Sequence, residues 1–205
     1  DLYKTAGADR LMCVDLHTSQ IQGFFDGPLD HLFAIPVLAE YIKSRVENPE
    51  NVTVVSPDTG RVRVAEHWAT LLGGAPLAFV HKTRDINVPN QAVSKTVVGE
   101  IEGRSCVLID DMIDTGGTIA GAVNVLKEKG AKEVIIAATH PVFSGPAVER
   151  LSGCGASEVV VTNTLPVPDD KRFENLTVLS IAPLLARAIR EVFDEGSVTN
   201  IFNDH

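Results

Sequence analysis

Two aspartates and a glycine-rich turn lie next to each other in the segment DDMIDTGGT. Asp110 and Asp111 follow the apolar run CVLI, and residues 114–118 lead into the amphipathic run IAGAVNVLKEKG. Successive backbone N–H groups in a glycine-rich turn at a helix N-terminus can bind an anion such as phosphate. The two carboxylates can accept hydrogen bonds from vicinal hydroxyls, such as those of a ribose ring. A sugar phosphate would therefore satisfy both parts of the segment.

The same segment has a purely structural alternative. It could be a strand-to-helix connection in which Asp114 or Thr115 is the N-cap and the two glycines serve only the turn. Adjacent carboxylates at the end of a strand repel each other, which favours the functional interpretation. The chain has neither GxGxxG nor GxxxxGK[ST], so it supports neither a dinucleotide-binding fold nor a Walker-type nucleotide site.

Two further polar residues follow apolar runs nearer the N-terminus. His17 lies in VDLHTSQ and Asp58 in VVSPDTG, so each is expected near the carboxyl end of a strand. They could contribute to a hard-cation site whose other ligands are water and substrate oxygens. Taken alone, each residue fits a capping or core role better than a cation site. His140, which follows IIAAT, has no evident partner in the sequence.

A basic pair follows the apolar run LAFV, in the segment HKTRD. Lys82 and Arg84 are two residues apart, so they point the same way if the chain is extended there. Such a two-cation fork on a mobile loop could stabilise negative charge on a transferring phosphoryl group. A solvated basic loop is the alternative.

The elements that would position these residues alternate along the chain, as in an α/β fold. Short apolar, β-branched runs predict strands at residues 10–15, 52–56, 77–81, 105–109, 133–138, 158–161 and 176–180. Amphipathic segments predict helices at residues 36–46, 63–72, 118–129, 146–151 and 183–193. Several strands are apolar throughout, which predicts a mostly parallel twisted sheet with helices on both faces. Ligands bind beyond the carboxyl ends of such strands, where the residues above are expected.

Composition and charge narrow the class of protein. The chain has 18 basic against 27 acidic residues and a net charge of −9, so nucleic acid and anionic membranes are not expected as partners. Its three cysteines are widely spaced and form no CxxC pair, which favours buried thiols in a reducing cytoplasm. The first residues, DLYKTAGAD, contain no Met and predict the end of a helix closed at Gly7. We therefore expect that sequence upstream of Asp1 is missing.

Together the motifs resemble the ribose-phosphate pyrophosphokinases, which are also called phosphoribosyl pyrophosphate synthetases. The resemblance spans nearly the whole chain and is carried by VDLHTSQIQGFFD, VVSPDTG, HKTRD, VLIDDMIDTGGT, THPVFSGPAVERL, VVVTNTLP and GSVTNIF. It implies a phosphoribosyltransferase-like fold. It also implies an enzyme that uses Mg²⁺ to transfer the pyrophosphoryl group of ATP to the anomeric hydroxyl of ribose 5-phosphate, releasing AMP.

The resemblance also implies a role for each matching residue. It implies that Asp110 and Asp111 bind the ribose hydroxyls. It also implies that Lys82 and Arg84 lie on a flexible loop and act in catalysis. The 5-phosphate would bind at Asp114, Thr115, Gly116, Gly117 and Thr118. The magnesium-linked positions would be His17 and Asp58. A subunit-interface site for ADP and phosphate would include Gln22, Asp30, Ser197, Thr199 and Phe202, although the tail reads TNIF and departs slightly from the family pattern.

The family subunit has two similar domains, and the resemblance divides this chain accordingly. Residues 1–35 would be the remnant of the first domain, residues 36–195 the second domain, and residues 196–205 a tail returning to the first. We expect a cytoplasmic homo-oligomer, a hexamer by resemblance, and no activity from this chain alone because much of the ATP site would lie upstream. Two alternatives remain open. A base phosphoribosyltransferase would share the DDMIDTGGT segment but should lack the basic fork, and a regulatory paralogue would bind without catalysing.

Overall fold

A seven-stranded sheet forms the centre of the larger part of the chain. The structure is a computed structural model that describes residues 1–83, 94–199 and 201. Within these residues the strands are β1 Leu11–Val14, β2 Leu29–Leu32, β3 Val52–Ser56, β4 Leu77–Thr83, β5 Ser94–Val98, β6 Ser105–Ile113, β7 Glu133–Pro141, β8 Glu158–Thr162 and β9 Leu176–Leu179. The helices are α1 Leu2–Thr5, α2 Ile35–Arg45, α3 Val62–Leu71, α4 Gly117–Glu128, α5 Ala147–Gly153 and α6 Ala182–Phe193.

The strand order in this sheet is β5-β4-β3-β6-β7-β8-β9, and all neighbours are parallel except β4 and β5. Alternate strand residues such as Leu108 and Ile136 pack with buried residues of α4 and α5 in one apolar cluster. The intervening residues, such as Val107, are also fully buried, and α2 and α3 pack on these strands outside that cluster. Burial of both strand faces explains the uninterrupted apolar runs. The predicted fold class, a mostly parallel α/β sheet covered by helices, is confirmed.

The chain divides into two compact units. Unit 1 contains residues 1–34 and 180–205, and unit 2 contains residues 35–179. Unit 1 holds the two-stranded parallel pair β1–β2 and the helices α1 and α6; unit 2 holds the seven-stranded sheet. The division after residue 34 lies one residue from the predicted one, whereas α6 groups with unit 1 and not with the second predicted domain.

The twelve predicted elements are all present, with small shifts at their ends. The largest is in β6, which continues four residues beyond the predicted end at Ile109 because its pairing with β7 extends to Ile113 and Pro141. No strand was predicted at residues 94–98, where the structure has β5, which pairs antiparallel with β4. This strand lies at the edge of the sheet and its Val98 is 60% exposed, so it lacks the apolar signal of the central strands. The predicted end of a helix before Gly7 is confirmed, with Gly7 at φ 95°.

None of the helices in the described ranges has the length and apolar character needed to cross a bilayer.

The carboxylate of Glu158 joins α2 to β8 and β9. It accepts hydrogen bonds from Tyr41 Oη at 2.6 Å, Arg45 Nε at 3.0 Å and Thr177 Oγ1 at 2.5 Å. Glu158 itself is buried. One buried acceptor therefore serves three donors from two further elements of unit 2.

We expect Glu158→Ala to lower the free energy of unfolding by about 2 kcal/mol, because it leaves the partly buried hydroxyl donors of Tyr41 and Thr177 without an acceptor. Urea unfolding followed by circular dichroism measures the change. Glu174→Ala is the matched control, since Glu174 is exposed in the same unit. A Glu158→Ala protein as stable as the control would show that the three hydrogen bonds make no net contribution.

Candidate substrate-binding site

The turn between β6 and α4 leaves the start of α4 open. Gly116 is the N-cap of the helix, with φ 71° and ψ −3°, a left-handed conformation that favours glycine. No side chain of the described residues caps this helix, so neither Asp114 nor Thr115 has the capping role of the structural alternative. The first backbone N–H groups of an α-helix have no partner within the helix. Those of α4 therefore form a candidate anion site.

Helix α5 and the segment before it hold this turn in place. The backbone N–H groups of Phe143 and Ser144 each donate, at 2.9 Å, to the carbonyls of Ile113 and Asp114. Arg150 Nη1 donates to the carbonyl of Thr115 at 3.0 Å. The same guanidinium nitrogen lies 3.2 Å from the place where a Cβ on Gly117 would be, so a side chain there would displace it.

The two aspartates lie within β6 and not after it. The sequence placed Asp110 and Asp111 where the strand ends, but the pairing with β7 carries the strand past both. The backbone N–H of Asp111 donates to Asp110 Oδ1 at 2.9 Å. Both side chains are largely buried, 16% and 9% exposed. The acid pair and the open start of α4 are thus parts of one continuous segment of unit 2.

A guanidinium that the sequence interpretation missed faces this acid pair. Arg61 ends the short 3₁₀ helix Thr59–Arg61 that follows β3. Its Nε lies 3.3 Å from Asp110 Oδ1 and its Nη2 lies 2.7 Å from Asp111 Oδ1. Arg61 belongs to SPDTGR, which follows a predicted strand, but its approach to the acid pair depends on the strand order, in which β3 neighbours β6.

Burial raises the pKa of the Asp110 carboxyl to about 7, and a hydrogen bond with the Asp111 side chain raises it as well. The positive charge of Arg61 acts in the opposite direction. Two carboxyl groups this close do not both ionise readily without a counter-charge. The ionisation of Asp110 near neutral pH therefore depends on the groups around it.

The two predicted magnesium-linked residues belong to different units, His17 to unit 1 and Asp58 to unit 2. Asp58 is exposed, and its Oδ1 accepts a hydrogen bond from the backbone N–H of Gly60 at 2.8 Å. Among the residues described, no group of three or more His, Cys, Asp or Glu side chains could hold a metal ion. The assignment of His17 and Asp58 to magnesium stays a prediction.

The basic fork falls at the edge of the described residues. Lys82 lies in β4, where its backbone pairs with Lys95 of β5, so the extended conformation assumed for this residue is present. Arg84 lies outside the described residues. The catalytic assignment of both residues stays a prediction.

The predicted regulatory residues that the structure describes, Gln22, Asp30, Ser197 and Thr199, belong to unit 1. Asp30 forms a two-point ion pair with Arg10, with Nη2 at 2.9 Å from Oδ1. Gln22 Nε2 donates to the carbonyl of Ser19 at 3.1 Å. Ser197 and Thr199 are exposed, and Phe202 lies beyond the part of the chain that is described. Asp30 and Gln22 thus have structural partners within unit 1. The regulatory site stays a prediction.

His140 has a partner that the sequence did not reveal. Its Nδ1 lies 2.9 Å from Thr164 Oγ1, and that hydroxyl also lies 3.1 Å from the carbonyl of Thr139. Thr164 belongs to the connection after β8, so it comes close only through the pairing of β7 with β8. The contact could not be recognised from the sequence, because His140 and Thr164 are 24 positions apart.

Comparison with known proteins gives one consistent result. Residues 75–203 match the family described as "Phosphoribosyl synthetase-associated domain". A protein of Bifidobacterium longum named ribose-phosphate pyrophosphokinase is 65% identical over an alignment of 206 positions. The alignment covers 100% of this chain and 61% of that protein. One of Mycobacterium tuberculosis with the same name is 66% identical over 203 residues, 99% of this chain and 62% of that protein.

A solved structure matches as well. The crystal structure of phosphoribosylpyrophosphate synthetase from Mycobacterium smegmatis superposes with a TM-score of 0.86 at 64% identity. The match covers 95% of this chain and 62% of that one. The chain thus spans about three fifths of the length of the relatives it matches.

Proposed function

Because the chain belongs to the ribose-phosphate pyrophosphokinase family, we propose that it supplies the ribose 5-phosphate half of an enzyme that transfers pyrophosphate from ATP to ribose 5-phosphate. One observation carries the proposal. The buried acid pair Asp110–Asp111 and the uncapped start of α4 at Gly117 are only a few residues apart on one strand-turn-helix segment. Sugar hydroxyls and a phosphate on one small molecule need this combination of acceptors and donors.

The chemistry assigned to these residues is mainly orientation. In this proposal the turn at residues 114–118 binds the 5-phosphate, and Asp110 and Asp111 accept hydrogen bonds from the ring hydroxyls. A ligand held at both ends presents its anomeric hydroxyl in a fixed direction. In phosphoryl-group transfer, positioning and charge stabilisation supply most of the catalysis, and no covalent enzyme intermediate is required. Lys82 and Arg84 are proposed to stabilise the charge on the transferring group.

Magnesium is the metal that this activity implies, and Asp58 has suitable chemistry for it. Mg²⁺ takes oxygen ligands, keeps several waters and is usually held by one or two carboxylates together with substrate phosphates. The exposed carboxylate of Asp58, just past the carboxyl end of β3, matches that mode of binding. We propose that Asp58 holds the ion, which would neutralise charge on the donor phosphates when bound. The magnesium-linked role of His17 is proposed on the resemblance alone.

The remaining partners are proposed on the resemblance alone. They are ATP as donor, ADP and phosphate as regulators, and further copies of the chain in a homo-oligomer of six subunits. A cytoplasmic location is proposed on the same basis.

The proposed phosphate site gives a direct test. We expect Gly117→Val to weaken ribose 5-phosphate binding by about tenfold or more, because the side chain blocks access of phosphate to the N–H groups of the turn. Isothermal titration calorimetry measures the affinity. Gly153→Val is the matched control, since a Cβ on Gly153 meets nothing within 4 Å. Unchanged affinity in a folded Gly117→Val protein would refute the phosphate site.

A second assay separates the proposed activity from its alternatives. This chain can be joined to the part of the Bifidobacterium longum relative that it does not match. With ATP, Mg²⁺ and ribose 5-phosphate, that chimera should release AMP. A base phosphoribosyltransferase would consume phosphoribosyl pyrophosphate instead, and a regulatory paralogue would bind the sugar phosphate without releasing AMP.

A further inference from the structure

Arg61 is placed to act on the acid pair of β6. It reaches that pair from a different strand connection, the 3₁₀ turn after β3, and its guanidinium lies 3.3 Å from Asp110 Oδ1 and 2.7 Å from Asp111 Oδ1. The side chain of Arg61 is 19% exposed, so all three charged groups are largely removed from water. Interactions between charges are stronger there than at an exposed surface.

Two charged groups in the described part of the chain act on the Asp110 carboxyl, Asp111 and Arg61. Asp111 is adjacent on the same strand, and the register partner of Asp110 on β7 is Ala138, which does not titrate. His140 lies two positions further along β7, beside Met112. Burial and the Asp111 side chain both favour the protonated form of Asp110, and the positive charge of Arg61 opposes them.

The protonation state matters for the proposed ligand. An ionised carboxylate only accepts hydrogen bonds, whereas a protonated one carries a donor of its own. Two neighbouring sugar hydroxyls that both donate need two carboxylates that accept. A proton on Asp110 would remove part of that complementarity.

We infer that Arg61 is a positioning residue for ribose 5-phosphate, which holds Asp110 and Asp111 as a paired, ionised acceptor for the two ring hydroxyls. The inference rests on the proposed function. It assigns to the SPDTGR turn a role in binding the sugar. Arg61 acts through the acid pair and need not contact the substrate.

The expected consequence is a change in pH dependence. Removing a cation from beside a carboxylate raises its pKa, commonly by one unit or more. Asp110 must be ionised for full binding, so affinity rises with pH through its pKa, which lies at about 7 when Arg61 is present. In Arg61→Gln the pH at which the affinity for ribose 5-phosphate increases should be about one unit higher. The variant should bind about fivefold more weakly at pH 7, about tenfold more weakly well below that pH, and approach wild-type affinity near pH 9.

Calorimetry with ribose 5-phosphate from pH 6.5 to pH 9 tests this. The second ionisation of the ligand phosphate, near pH 6, is common to all variants and cancels in the comparison. Arg61→Lys keeps a cation and should retain most of the wild-type profile. Arg63→Gln is the matched control, because Arg63 is exposed two residues further on. Its profile should equal that of the wild type.

The outcomes separate the inference from the proposed function. An Arg61→Gln protein that is weaker by one constant factor at every pH would overturn the inference and indicate a purely structural role. Carboxyl ¹³C shifts of the ligand-free protein provide a second readout, in which Asp110 should titrate at higher pH in Arg61→Gln. An unshifted titration would also overturn the inference. Absence of binding by the wild-type chain would instead remove the proposed function, and the inference with it.

Discussion

Replacing Asp110 and Asp111 together by asparagine should weaken ribose 5-phosphate binding by about 100-fold or more. Each carboxylate is proposed to accept a hydrogen bond from a ring hydroxyl, and hydrogen bonds to charged groups contribute about 1.5 to 3 kcal/mol each. The loss of two such bonds, about 3 kcal/mol at the low end, corresponds to a factor of more than 100 in affinity. Asparagine keeps the size of the side chain, so the change acts mainly through charge.

The measurement is calorimetry on a variant whose folding has been checked, because the substitution also removes both ion-pair partners of Arg61. The double variant Asp169→Asn, Asp170→Asn is the matched control. It neutralises an adjacent acid pair in the same unit that is exposed to solvent. A folded Asp110/Asp111 variant that binds as tightly as this control would show that the acid pair does not bind the sugar.

The second large effect concerns the chain as a catalyst. We expect these 205 residues alone to bind ribose 5-phosphate weakly and to release no AMP from ATP with magnesium. The matched stretch is about 62% of the relatives' length, and the resemblance assigns much of the ATP site to the part that is not matched. Proximity and orientation of two reactants contribute about 7 to 11 kcal/mol, so a chain that binds only one of them should show no measurable turnover.

A coupled AMP assay, run on the chain and on the chimera with the Bifidobacterium longum relative, checks this expectation. The chimera serves as the positive control, since it carries the same 205 residues. Rapid AMP release by the chain alone would show that the proposed division of the active site is wrong.

Much of the fold could be predicted because its main signals are local. The strand Val52–Ser56 was predicted with its observed bounds, since four β-branched residues in a row have few alternatives in an α/β chain. The end of β6 was missed because Asp110 and Asp111 look like loop residues. They extend the strand only because β7 provides pairing partners as far as Pro141. Edge strand β5 was missed because it is short and only partly buried: Val97 packs against the apolar cluster, whereas Val98 is 60% exposed.

The site was predictable in its composition and not in its contacts. The glycine turn and the acid pair could be identified because their chemistry lies within nine consecutive residues. Arg61 and Arg150 reach that segment from 49 and 35 residues away, as the differences 110 − 61 and 150 − 115 show. Nothing in a single sequence indicates which of 18 basic residues will approach the carboxylates. That information comes from the strand order, which sets β3 beside β6.

The continuation of β6 to Ile113 has a consequence for the thermodynamics of binding. Since Met112 and Ile113 still pair with His140 and Pro141, Asp110 and Asp111 sit on a backbone already fixed on both sides. When the acceptors are already ordered, the protein loses little conformational entropy on binding the ligand. Less of the favourable interaction enthalpy is therefore offset. Sugar recognition at this strand should therefore have a small entropic penalty from the protein. Backbone amides of residues 110–113 should exchange with solvent at nearly the same slow rate with and without ribose 5-phosphate.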